Sequence, residues 1–108
     1  MEYVYERAFY RLAYPLFLRP ALVIGPDRYV VIDVSEGGLR YHDPGPPPDL
    51  GRRTTGLLYL LGTPPLEIIG TVVRLDPPHI ALALTKGLPF GLMLDQQRLL
   101  QQRLVAWR

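Results

Sequence analysis

Apolar positions along this chain come in short runs, each stopped within about ten residues by glycine, proline or a charged turn. The cleanest is 79–85, where Ile80, Leu82 and Leu84 alternate with Ala81 and Ala83. A period of two puts the large side chains on one face and the small ones on the other, which predicts a strand with its bulky face inward. Runs at 20–24, 29–34, 39–42, 55–61 and 66–75 share this character, rich in β-branched or large apolar residues and bounded by turn formers. Gly25-Pro26-Asp27-Arg28 separates the first two runs and Ser35-Glu36-Gly37-Gly38 the next two, so the first three strands form an antiparallel meander. Gly70 interrupts the longest run and predicts a bulge, or a corner where another backbone comes close. Short strands in this number predict a mainly β fold, a six-stranded antiparallel barrel, because closure removes the unpaired edges.

The flanking segments break the strand pattern. Residues 1–18 carry Tyr3, Tyr5, Phe9, Tyr10, Tyr14 and Phe17 with no clean period, and read as an N-terminal arm that packs on the barrel. Residues 43–54 hold four prolines and form an extended connection, since proline fixes φ and cannot donate to a ladder. Residues 92–107 predict the one substantial helix. Met93, Leu100, Leu104 and Trp107 recur at helical spacing, Leu99 widens the stripe, and Gln96, Gln97, Arg98, Gln101 and Gln102 take the other faces. Such a helix lies over the barrel.

Composition narrows the function. With 108 residues, 48% of them apolar, the expectation is a single domain over 1–108: arm 1–18, barrel 20–85, helix 92–107. The absence of cysteine excludes disulfides and thiolate metal sites and suits a cytoplasmic location. The longest stretch without charge, 54–66, is broken by Gly62, Pro64 and Pro65, so no membrane insertion is expected. A pI of about 9.2 accompanies a net charge of only +2, with the two signs interspersed. Duplex binding needs a denser basic face, and neither DNA nor RNA is an expected partner.

The remaining chemistry gathers at the turn after residue 32. Ser35 is the chain's only serine, and Asp33, two residues earlier, projects to the same side of a strand end. Gly37 and Gly38 are expected to take positive φ in this tight connection. Near the N-terminus, Arg7 and Arg11 stand four apart and share a side in either a helix or a strand. Eleven arginines make one such pair expected about once by chance, so the pair alone carries nothing. The pattern Asp33-x-Ser35-x-x-Gly38 is expected roughly 0.005 times in this composition, and it carries the weight.

Together, Arg7-x-x-x-Arg11 and Asp33-x-Ser35-x-x-Gly38 resemble the paired signature of the PilZ domain. The resemblance implies a Greek-key-like barrel with an arm and a C-terminal helix. It further implies a bacterial receptor or adaptor for cyclic di-GMP, bound by Arg7, Arg11, Asp33, Ser35, Gly37 and Gly38, with no cofactor and with a protein effector as onward partner. The residue types suit that ligand. Arginine presents a planar fork to guanine O6 and N7 and keeps its charge beside phosphate, and a carboxylate accepts from guanine N1 and N2 protons. The alternative is a PilZ-type docking module that binds protein and no nucleotide; monomer and dimer both stay open. An enzyme is not expected: His42 and His79 stand alone, and the serine has no histidine partner in motif.

Overall fold

Each predicted run becomes a strand in the computed structural model, which describes residues 11–107. The strands are β1 (Leu12–Ala13), β2 (Ala21–Ile24), β3 (Asp27–Val34), β4 (Gly38–His42), β5 (Arg53–Tyr59), β6 (Leu66–Asp76) and β7 (His79–Leu84), followed by helix α1 (Phe90–Trp107). All pairings are antiparallel, in the cyclic order β2-β3-β4-β7-β6-β5 and back to β2, so six strands close a barrel. β1 pairs with the last two residues of β3 on the side that β2 has left, Leu12 opposite Val34 and Ala13 opposite Asp33. The predicted arm is therefore in part a strand, followed by a 3-10 turn at Leu16–Leu18.

The cyclic order is a Greek key made of two meanders. β2-β3-β4 and β5-β6-β7 join along β4–β7 and β2–β5, so the chain must cross one end of the barrel between β4 and β5. Residues 43–52 make that crossing, and their prolines suit it because an extended segment spans the end without competing for strand pairing. At the same end, β2 turns into β3 through Gly25 and Pro26, with Gly25 at φ 58° and Ile24 paired to Asp27. This connection is tighter than the four-residue turn expected from sequence.

Inside the barrel, Leu22, Val31, Val34, Leu39, Tyr41, Leu58, Ile68, Val72, Ile80 and Leu82 form the core, joined by Tyr14 and by Leu88, Met93 and Leu100 from the helical end. The alternation in β7 holds: Ile80 and Leu82 are buried, while Ala81 and Ala83 sit on the outer face. Two bulges change the phase elsewhere, at Ile32 between Val31 and Asp33 and at Val73 between Val72 and Arg74. The bulge expected at Gly70 thus lies three residues later. The close approach expected there is present: a Cβ on Gly70 would stand 3.0 Å from the Ala83 carbonyl oxygen.

α1 covers the other end of the barrel, but its packed stripe differs from the predicted one. Met93, Gln96 and Leu100 are buried, whereas Leu104 is exposed. Gln96 is fully buried because it has work for both its amide atoms: Oε1 accepts from the Tyr14 hydroxyl at 2.8 Å and the Leu61 N–H at 3.1 Å, and Nε2 donates to the Leu61 carbonyl at 2.6 Å. One side chain ties helix, arm and the β5–β6 connection together.

Candidate functional site

The turn between β3 and β4 is held shut by its own serine. Ser35 N–H donates to the Gly38 carbonyl at 2.8 Å; the Ser35 hydroxyl accepts from Gly38 N–H at 3.2 Å and lies 3.3 Å from the same carbonyl. Neither Gly37 nor Gly38 has positive φ, contrary to the sequence expectation; the described glycines that do are Gly25, Gly51 and Gly62. Gly38 is required for a different reason. A Cβ there would collide with the Leu82 carbonyl oxygen of the neighbouring strand. The turn's outward carbonyls are also engaged, Glu36 by Leu88 N–H at 2.8 Å and Gly37 by Leu84 N–H at 2.9 Å, which fixes the turn against the segment entering α1.

Asp33 reaches the outer wall through the bulge at Ile32. Strict alternation from buried Val31 would point Asp33 into the core; the extra residue turns it outward and returns Val34 to the interior. There it faces Arg40, its cross-strand partner, whose Nε and Nη2 donate to Asp33 Oδ2 at 2.9 and 2.5 Å. This contact raises the Arg40 pKa above its ordinary value, so the guanidinium stays charged throughout the accessible pH range. Oδ1 is turned toward Arg11, whose Nε lies 3.9 Å away, close enough for charge attraction and too far for a hydrogen bond.

These residues line one open cleft of about 360 Å³ on the barrel's outer face, with Arg11, Asp33, Ser35, Gly37 and Gly38 at one side and Arg40, Val73 and Arg74 beyond them. Ala81, Ala83 and Gly38 make its floor, where small residues leave room that larger ones would fill. Three arginines against one aspartate give the cleft a cationic excess. Of the residues predicted from sequence, Arg11, Asp33, Ser35, Gly37 and Gly38 are brought together; Arg7 lies outside the described residues. Arg52 lines a separate cavity of about 530 Å³ at the opposite end, beneath Pro46, Pro47 and Pro48.

Arg40 and Arg74 were missed. Arg40 had a signal in the hairpin register, since pairing Val34 with Leu39 sets Asp33 opposite Arg40. Arg74 had none that alternation could read, because counting by twos from Val72 sends it inward until the bulge at Val73 reverses it. Among the described residues no group of three or more metal-ligating side chains exists, and no helix is long and apolar enough to cross a membrane.

A solved structure of an uncharacterized Legionella protein superposes with a TM-score of 0.63 over 88% of this chain and 98% of that one, at 18% identity, a likeness of fold. No curated protein matches the chain. The PilZ domain family model matches residues 5–107, a span that contains both sequence motifs, the barrel and the helix, and on that match the chain belongs to the PilZ family.

Proposed function

We propose that this protein is a cytoplasmic receptor for cyclic di-GMP, binding the dinucleotide between the Arg7 and Arg11 arm and the turn of Asp33, Ser35, Gly37 and Gly38, and passing the signal to a protein partner. The observation that carries this reading is the meeting of Arg11 with Asp33, 22 positions later in the chain, across one cationic cleft. Binding cyclic di-GMP is the family's characteristic property, and the residues here have suitable chemistry. Asp33 Oδ1 is available to accept from guanine N1 and N2 protons while Arg40 holds Oδ2, so the carboxylate is aimed before ligand arrives. Arg11 and Arg7 supply forks for guanine and charge for phosphate. Ser35 acts mainly by shaping the turn, its hydroxyl being committed to Gly38. The whole chain works as one module with no catalytic step.

One observation favours the rival docking module: Arg40 already neutralises Asp33, and Ser35 already has its partner, so the motif is satisfied without ligand. Calorimetric titration with cyclic di-GMP, with GTP as control, separates the two. Binding at about micromolar strength, far weaker for GTP and lost in the Arg7→Ala, Arg11→Ala double variant, is the expected result. No heat and no competition at high protein concentration would rule out the receptor and leave the docking module.

A further inference from the structure

The cleft continues well past the motif turn. One row of outer-face residues runs Asp33 on β3, Arg40 on β4, Ala81 on β7 and Arg74 on β6, each paired with the next across the sheet. Neighbouring strands stand about 4.8 Å apart, so three steps place the Arg74 backbone about 14 Å from that of Asp33. Between them the floor is Gly38, Ala81 and Ala83, and the larger outer-face residues along it are Arg40, which is bound to Asp33, and exposed Val73 beside Arg74.

Arg74 differs from the other cleft cations in having no partner among the described residues. Arg40 is hydrogen-bonded to Asp33 and Arg11 lies within ion-pair distance of it, whereas exposed Arg74 makes no hydrogen bond or ion pair among the described residues. Its position is also structurally determined, because the bulge at Val73 carries it from the core phase to the wall. A guanidinium with no partner among the described residues, at the far rim of a cationic cleft, is a ready site for an anionic oxygen pair.

We propose that Arg74 is a second anion subsite, holding the phosphodiester of the ligand's far half and so favouring a cyclic dinucleotide over a mononucleotide. This rests on the cyclic di-GMP reading. A single nucleotide seated at Arg11, Asp33 and the turn ends short of Arg74; a second, equivalent half extends along the floor toward it. Arg74 therefore adds affinity only for the longer ligand.

The test compares wild type with Arg74→Ala and Arg74→Lys, titrated with cyclic di-GMP and with guanosine monophosphate at low and high salt, folding being checked by circular dichroism. For Arg74→Ala, cyclic di-GMP affinity should fall about tenfold, as for loss of one charge-assisted contact, while mononucleotide affinity stays unchanged. Arg74→Lys should recover most of the loss, and the gap between wild type and the alanine variant should narrow at high salt. Unchanged dinucleotide affinity in Arg74→Ala, or an equal fall for the mononucleotide, would overturn the subsite while leaving the receptor intact. Silence of the wild type itself toward cyclic di-GMP would remove both.

Discussion

With its side chain only 3% exposed, Asp33 needs a cation whether or not a ligand is present, and Arg40 supplies one through two hydrogen bonds to a single oxygen. The pair is therefore structural. Arg40 keeps 26% of its side chain exposed, so solvent weakens the attraction, and the pair should stabilise less than a fully buried one. Removing one partner leaves the other poorly compensated. Asp33→Asn and Arg40→Ala should each lower unfolding free energy by about 1–3 kcal/mol in urea titrations. The double variant should lose less than the sum, with a coupling near 1 kcal/mol. Strict additivity would show that the two side chains contribute independently. At this scale the sequence displayed Asp33 and Ser35 plainly, because an unusual spacing marks them. Arg40 was legible only through the hairpin register, since an arginine on a strand otherwise looks the same whether it faces solvent or a carboxylate.

Among the elements, α1 shows how a pattern can be right while one of its members is misassigned. Gln96 stands three residues after Met93 and four before Leu100, in the buried phase of the helix, yet a glutamine counts as a surface residue until its partners are known. Those partners come from elsewhere in the chain: Tyr14 from the arm and Leu61 from the β5–β6 connection. Gln96→Leu keeps the volume and strands a tyrosine hydroxyl with a backbone N–H and carbonyl at the barrel end. We expect a loss of about 2–4 kcal/mol for it, against about 1 kcal/mol for Tyr14→Phe, which removes a single hydrogen bond. Denaturant unfolding of both variants measures the difference. A Gln96→Leu protein within about 0.5 kcal/mol of wild type would mean that water replaces the lost contacts and that the helix is held by its apolar stripe alone. The two bulges are elements of the same kind, local phase shifts that place Asp33 and Arg74 on the wall. Counting by twos sends both residues to the core, and only the register against the partner strands reveals the shift.

For the whole molecule, closure into a barrel was legible because short, evenly punctuated strands leave few other ways to satisfy their edges. The cleft was not, because it is made by residues from four strands and the arm, whose registers depend on both bulges. The same closure buries tyrosine hydroxyls, and that has a consequence in alkali. Burial raises the pKa of Tyr14 well above the ordinary 10 and pushes Tyr41 up to about 12, the negative charge of Asp43 adding to the effect on Tyr41. Both groups are neutral when folded, and the unfolded chain begins to lose these protons near pH 10. Below that value folded and unfolded states bind the same number of protons at these sites, and stability does not depend on them. Above it the unfolded state alone ionises, so stability falls by up to about 1.4 kcal/mol per pH unit for each tyrosine until the folded pKa is reached. Urea midpoints measured from pH 8 to 11.5 should therefore be flat with respect to these groups and then drop. In Tyr41→Phe, which keeps the ring and removes the proton, the drop should be shallower by one tyrosine's share. Parallel curves for the two proteins would mean that the hydroxyl of Tyr41 reaches water at the proline-covered end of the barrel, and that residues 43–52 cross that end without sealing it.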